Sequence, residues 1–513
     1  MSTSTRVIKN TGYLYIKMGV VVFSTLFSTR LILASLGASD FGIFNVVGGA
    51  IVMLGFLNNT MANSTQRFLS YAEGEGQMEK KKRIFNICIV LHFIIAIFTL
   101  IIFLSAMYPL FNGVFNLEPE RIFAAKVIYY SLVLSSVLTI INVPYDAVMT
   151  AHENMLYYSV VGIIESILKL GIAFICVYTH YDKLIVYGVL MACVPIITLF
   201  VLRWYCHRHY EECQVSPRRY WDRELVKQIA GFFGWNFLTA ISSLFTAQGI
   251  GIVLNHFFGT VLNAAQGIAH QVNGALSLFS GNMVKALNPV ITKNAGAKDN
   301  ITMNNAALVG CKYSALLTMF FGIPLSLEIN YVLSLWLKEV PAWASLFVVL
   351  LFIQNILLQM ANSISTTIYA LGDIKYYAIW KSLMNAMPVF LVWAAFWLGG
   401  SPVWLYVPMI LVWAIGGNIV IIYFAKTKCD LEVKTYLVKV VSPLAGTVVL
   451  MTLMGIIPLL ILSPCLGRFV LTSMATTIGI FISALLFAMS KDEKLQIKMA
   501  LHNIQKSVIK RVE

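Results

Sequence analysis

The chain is a succession of long apolar runs separated by short polar loops, and this pattern constrains the fold more than any motif. A membrane-spanning helix needs about 20 mostly apolar residues. The run 84–108, which holds no Asp, Glu, Lys or Arg, is one such stretch. The pattern predicts spans at 11–34, 41–66, 84–108, 122–147, 155–178, 184–202 and 228–255. It continues with 260–290, 304–326, 343–370, 377–398, 403–424, 440–463 and 469–488. Of 513 residues, 59% are hydrophobic and 12% charged, against about half and about a quarter in soluble domains. Alternating-period strands are absent, which excludes a β-barrel. The first run begins too early and is too long for a cleaved signal peptide. The expected fold class is an all-α integral membrane protein with 14 transmembrane helices.

The net charge of +14 orients such a protein. With both termini cytoplasmic, most Lys and Arg fall on that side, in Lys80–Arg83, the Arg203–Lys227 loop and the tail beyond Lys491. This is the positive-inside bias, so no nucleic acid partner is invoked. Of eight Cys, only Cys465 maps outside, which leaves no external disulfide within the chain. CHRHYEEC (Cys206–Cys213) lacks the paired spacing of a structural zinc site and reads as a solvated basic loop. The longest loop is too short for a folded domain. There is no P-loop, H-E-x-x-H or G-x-S-x-G. No catalytic residue, metal or cofactor is expected, and whatever the protein does it does with its helices.

The bundle reads as duplicated. A shift of 225 places Gly42-Ile43 on Gly267-Ile268 and Gly49-Ala50 on Gly274-Ala275. Ser135, Thr139, Asn142 and Asp146 mirror Asn355, Gln359, Asn362 and Thr366, and Tyr157-Tyr158 mirrors Tyr376-Tyr377. The implied organisation is an N-lobe over 1–215 (spans 1–6) and a C-lobe over 216–430 (spans 7–12). An added helix pair follows over 431–490, then a cytoplasmic amphipathic tail over 491–513. Two such repeats are the plan of many secondary transporters, with the substrate cavity at the repeat interface.

Polar side chains inside the spans fall into patterns. Asn263, Gln266, His270, Asn273, Ser277 and Ser280 lie on one side of the eighth span. Such residues can glue membrane helices together; a stripe this long, rich in amides, also suits the wall of a hydrophilic cavity. Asn236, Thr239 and Ser243 in span seven, and Asn355 and Gln359 in span ten, offer matching faces. Amides and hydroxyls both donate and accept, which suits sugar hydroxyls.

Charge inside a membrane usually faces a cavity or a partner. The basic residues in spans are Lys17, Arg30, Arg67, Lys126, Lys169, Lys285, Lys312 and Lys381, against only Asp40, Asp146, Glu165 and Glu328. Arg67, Lys126, Lys312 and Lys381 lie close enough to a face to snorkel. Lys17, Arg30, Lys169 and Lys285 are the candidates for an anionic substrate group, Arg being able to bind phosphate bidentately. Arg30 also suits an anchor at external headgroups, and Lys285 also suits snorkelling. Glu165 and Lys169 stand four apart, either a self-neutralising pair or a switchable one; Glu165 and Asp146 are the candidates for ion pairing or coupling.

Taken together, the N-terminal span with Lys17 and Arg30, LGASDFGIFNVVGGAI (Leu36–Ile51) and PYDAVMTAHENMLYY (Pro144–Tyr158) resemble one family. It is the polysaccharide transporter, or O-antigen flippase, branch of the multidrug/oligosaccharidyl-lipid/polysaccharide (MOP) flippase superfamily. The resemblance implies a multi-pass protein of the bacterial inner membrane. It implies flipping of polyprenyl-pyrophosphate-linked oligosaccharide (O-antigen, capsule or exopolysaccharide units) by alternating access through a V-shaped cavity between two six-helix lobes. The partners implied are the lipid-linked substrate, membrane lipids, a polysaccharide polymerase and glycosyltransferases. The alternative is export of drug-like cations by the related multidrug branch, which favours interior carboxylates. A membrane glycosyltransferase or polymerase fits less well, because the external loops are short.

Overall fold

The computed structural model describes residues 3–52, 55–115, 118–337, 339–489 and 494, and these are 90% helical. In order, the helices are α1 (Thr3–Val52), α2 (Gly55–Glu75), α3 (Met78–Pro109), α4 (Ile122–Ala151) and α5 (Met155–Tyr178). They continue with α6 (Lys183–His209), α7 (Arg223–Phe258), α8 (Thr260–Gly296), α9 (Asn300–Leu327), α10 (Ile329–Trp336), α11 (Ala344–Leu371) and α12 (Lys375–Trp397). The last three, α13 (Pro402–Cys429), α14 (Val433–Ile461) and α15 (Leu466–Phe487), include short 3-10 or π turns.

Among the described residues, twelve helices are long and apolar enough to cross a membrane. The expected spans at 41–66 and 260–290 are not among the twelve. The first runs from α1 into α2 across positions 53–54, which lie outside the described residues. The second, in α8, carries the amide stripe. The residues that make α8 a candidate cavity wall are the ones that lower its apolarity. The expected amphipathic tail over 491–513 lies outside the described residues, Lys494 excepted.

The chain divides into two compact units, Asn10–Phe237 and Leu238–Glu513 with Met1–Lys9. In the first, α4 is central and packs on α2, α3, α5 and α6. Its small residues Ala124 and Ala125 admit close neighbours, and Ile128, Tyr129 and Val133 join Ile43, Val47 and Phe103 in a buried cluster. The Tyr129 hydroxyl donates to the Phe103 carbonyl at 2.6 Å, so its burial leaves no orphaned donor. Each end of this unit is fastened by charge. At one end Arg121 forks between Asp40 of α1, its Nε donating at 2.8 Å, and Asp182, which its Nη1 reaches at 2.7 Å. Asp182 also caps α6 through the amides of Leu184 and Ile185.

At the other end Glu73 pairs with Lys81 at 2.6 Å, and His152 lies between Glu73 and Glu212. Here the sequence expectation needs correcting. The Cys206–Cys213 stretch is not a freely solvated loop: Cys206, Glu212 and Cys213 are buried, and Tyr210 stacks on His152 at 4.3 Å. Burial, the largest influence, pushes the Glu212 carboxyl up, but bonding to His152 and the charges of His152 and Lys81 hold it below its ordinary value. Among the described residues, no group of three or more His, Cys, Asp or Glu is placed to hold a metal.

In the second unit α11 is central, against α8, α9 and α13. Phe347, Val348, Leu351 and Phe352 of α11 join Leu254, Val392 and Tyr406 in the core. α14 and α15 pack on each other and on α9. Arg468 of α15 reaches back to Glu328, between α9 and α10, with two hydrogen bonds of 2.8 and 2.6 Å.

Backbone landmarks recur between the units. Gly37 breaks α1 at φ 77, ψ 172, and Gly259 separates α7 from α8 at φ 76, ψ −169. This region is open essentially to glycine alone. The pair stands 259 − 37 = 222 apart; so do the helix-ending left-handed residues Gly76 and Lys298, and the helix starts Met78 and Asn300. Farther on, the left-handed Glu153 and Gly372 are 372 − 153 = 219 apart. So are the ends of α5 and α12 at Tyr178 and Trp397, and the residues before α6 and α13, Asp182 and Ser401. The register is therefore 222 in the first helices, not 225, and 219 from the end of α4 onward, one short of the shift that pairs Ser135 with Asn355.

Candidate functional site

Three helices of the first unit converge on a pocket of about 130 Å³. α1 contributes Lys17; α4 contributes Thr139, Asn142 and Asp146; α5 contributes Tyr158, Gly162 and Glu165, with Pro195 and Thr198 of α6 closing it. The Lys17 ammonium sits 3.9 Å from the centroid of the Tyr158 ring, close enough for a cation–π attraction. Its stem lies over Gly162, where a Cβ would overlap the Lys17 Cε. Glycine here is a packing requirement: it opens the notch that the lysine fills. Asn142 is buried, and its Oδ1 has no hydrogen-bond partner among the described residues. Glu165 accepts from Lys169 Nζ at 2.6 Å. The pocket thus holds one ammonium, two carboxylates and an orphaned amide oxygen.

Of the expected site residues, Lys17, Asp146 and Glu165 meet here, with Lys169 one bond away. Arg30 stands apart, exposed on α1 and in no ion pair among the described residues. Lys285 is half-buried on α8. Sequence reading did not single out Tyr158 or Gly162 as site residues. The signal was present as a tyrosine four residues before a glycine on a helix already carrying Glu165.

The second unit holds a polar seam. Asn355 Nδ2 of α11 donates to Asn273 Oδ1 at 2.8 Å and to Ser277 Oγ at 3.2 Å, both on α8. Gln359 Nε2 donates to Ser280 Oγ and to Asn355 Oδ1, both at 3.2 Å. The α8 stripe is therefore not uniform. Gln266 and Ser280 are buried, Asn273 and Ser277 half-buried and engaged by α11, and His270 exposed, its ring nitrogen 3.4 Å from Gln266 Nε2. The α7 face is divided as well. Asn236, in the first unit, donates to Ser64 Oγ at 3.0 Å. In the second, Ser243 Oγ donates to the Thr239 carbonyl at 3.1 Å and accepts from Asn385 Nδ2 of α12 at 2.9 Å. Lys381, expected to snorkel, instead lays its Nζ against α13, 2.6 Å from where a Cβ on Gly417 would stand.

No protein-family model matches the sequence, and no curated protein does. Solved structures do. A MATE transporter in its bent conformation matches with TM-score 0.72 at 13% identity, over 84% of this chain and 96% of that one. An outward-facing multidrug resistance MATE family transporter of the MOP superfamily matches with TM-score 0.70 at 13% identity, over 83% and 95%. A MOP superfamily transporter from Pyrococcus furiosus, described as having a binding pocket of reverse polarity that suggests a different function, matches with TM-score 0.68 at 13% identity, over 84% and 96%. At such identity the likeness shows the architecture: a multi-pass helical membrane protein with the fold of the MATE transporters of the MOP superfamily.

Proposed function

We propose that this protein flips a polyprenyl-pyrophosphate-linked oligosaccharide across a bacterial inner membrane by alternating access. It does so with fourteen spans and both termini cytoplasmic, the stretch 41–66 and the polar helix α8 being counted among the spans. The observation that carries the reading is the pocket around Lys17. Its volume of about 130 Å³ equals roughly four waters at about 30 Å³ each. It has room for one phosphoryl-sized group. Lys17, with Lys169 drawn from Glu165 when an anion competes for it, supplies the positive charge; Arg30 and Lys285 are the further cations assigned to the substrate's negative charge. Exposed His270 and the amides and hydroxyls of Asn236, Thr239, Ser243 and Gln266 are assigned to sugar hydroxyls, while Asn273, Ser277, Asn355 and Gln359 hold α8 to α11. An inside-negative potential favours outward movement of an anion by about 2.3 kcal/mol per charge per 100 mV, and Asp146 and Glu165 are the groups for any coupling ion. A polymerase and glycosyltransferases are the partners this role implies.

The test is transport in proteoliposomes. Lys17→Gln with Lys169→Gln and Lys285→Gln should abolish flipping of a fluorescent polyprenyl-pyrophosphate glycan while folded protein remains; undiminished flipping by the triple variant sinks the assignment. The second reading, export of organic cations, is favoured by the MATE neighbours and by the two carboxylates in the pocket. It predicts ethidium efflux that depends on Asp146 and Glu165 and no movement of the glycan lipid.

A further inference from the structure

The exposed stripe of α6 leads to a second site, independent of the transport reading. Val189, Ile196, Phe200 and Trp204 are exposed at 47%, 47%, 71% and 55%, with exposed Cys193 on the same line and Arg208 one turn beyond Trp204. On a helix long and apolar enough to cross a membrane, such a stripe meets acyl chains. Its end changes character in one turn, from Phe to Trp to Arg, as the bilayer does from tails to headgroups.

The segment after α6 enlarges this end rather than trailing from it. It is pinned inward at several points. Asn86 Nδ2 donates to the Gln214 carbonyl at 2.8 Å, and the Ser216 amide donates to Asn86 Oδ1 at 2.7 Å. Glu212 is held by His152, and Cys213 and Tyr220 are buried. Arg218, Arg219 and Trp221 point outward, the last 50% exposed, alongside exposed Glu211, Gln214, Val215 and Ser216. The Arg208 guanidinium lies 5.7 Å from the Trp204 ring. Among the described residues none of Arg203, Arg208, Arg218 and Arg219 is in an ion pair. The end of the acyl-facing stripe thus shows Arg203 and Arg208 with Trp204, and the segment pinned to α3 adds Arg218, Arg219 and Trp221, a set complementary to one kind of ligand.

We propose that the α6 stripe and the folded segment behind it bind an anionic phospholipid, tails along Val189–Phe200 and phosphate at Arg203 and Arg208. Bidentate guanidinium–phosphate bonds give the headgroup selectivity, and Trp204 and Trp221 set its depth. The experiment adds phosphatidylglycerol or phosphatidylcholine to the full-length protein in detergent and counts retained lipid by native mass spectrometry, with thermal stability as a second readout. Phosphatidylglycerol should be retained and should raise the melting temperature; phosphatidylcholine should do neither. Arg203→Gln with Arg208→Gln should weaken phosphatidylglycerol binding at least about tenfold, two surface cations being lost. Lys434→Gln, an exposed cation of the second unit, should change nothing. Should the double variant not fold, Trp204→Ala decides by the same readouts. Equal retention of the two lipids, or wild-type affinity in the variants, overturns the proposal. So does displacement of phosphatidylglycerol by an equimolar polyprenyl monophosphate, which would assign the site to prenyl lipid.

Discussion

Replacing Asn355 by Leu separates a helix seam from a cavity wall. In the folded chain Asn355 donates to Asn273 and Ser277 and accepts from Gln359. Leu keeps the volume and removes all three bonds. Hydrogen bonds between membrane helices average about 0.6 kcal/mol each, so the loss amounts to about 2 kcal/mol. A wall facing water loses far less, because water replaces the amide. Exposed His270, whose hydrogen bond among the described residues is the long one to Gln266, should tolerate Ala within about 0.5 kcal/mol.

The assay is reversible unfolding in mixed micelles, paired with labelling of single Cys replacements on α8. Cys at 270 should react with a hydrophilic thiol reagent, at 273 and 277 slowly, and at 280 not at all, since thiolates do not form readily away from water. A cost below about 0.5 kcal/mol for Asn355→Leu, with positions 273 and 277 labelling as fast as 270, refutes the seam. It would return the whole stripe to solvent.

Three further outcomes follow from the geometry. Gly162→Ala places a methyl group where Lys17 Cε now lies; because the lysine end can swing away, stability should fall by less than about 1 kcal/mol. Transport should nevertheless drop as in Lys17→Gln, and full transport would show that the Tyr158 contact is irrelevant. Gly37→Ala and Gly259→Ala each force a Cβ into a glycine-only conformation, at a cost of about 1–3 kcal/mol. Matching losses in thermal unfolding are expected, and a neutral effect at either would refute the equivalence. Burial, the strongest influence on Asp182, pushes its carboxyl up, but Arg121 and the Leu184 and Ile185 amides together hold it below its ordinary value. A depressed carboxylate stabilises the fold above its unfolded pKa of about 3.9 and loses that contribution as pH falls through the folded value. Wild type should therefore lose stability on acidification in that range, and Arg121→Gln should lose less; identical pH profiles would refute the role given to the fork.

The apolar runs made the helices legible, because burial in lipid demands one repeated signal. The recurrence of landmarks between the units was legible from the twin tyrosines, but its register was not. A slip of three residues turns a helix by only about 60°, so apolar periodicity barely distinguishes 225 from 222. Gly37 and Gly259 fix the register through backbone conformation, which their one-letter code does not carry. The pocket was half legible: Lys17, Asp146 and Glu165 announced themselves as charge in a membrane. Tyr158, Gly162 and the orphaned oxygen of Asn142 gained meaning only when α1, α4 and α5 came together. The α8 stripe was visible in full, yet the partner that covers its middle lies on α11, some 80 residues away.

The corrected register shows how the two copies have diverged. At 222, Lys17 corresponds to Thr239; at 219, Asp146 corresponds to Ser365, Glu165 to Met384, Tyr158 to Tyr377 and Gly162 to Lys381. Thr198, which lines the first pocket, corresponds to Gly417. The second unit has neither carboxylate nor the lysine at these positions, and has a lysine where the first has the notch glycine. That lysine rests its ammonium on Gly417, at the place equivalent to the wall of the first pocket. Each copy therefore keeps a single ammonium at the same station of the repeat, reached from the first helix in one and the fifth in the other. In the first copy it faces carboxylates across open volume, where a second ion can enter. In the second copy the carboxylates are absent and the lysine stem occupies the station itself, which leaves that copy its neutral amides and hydroxyls to work with.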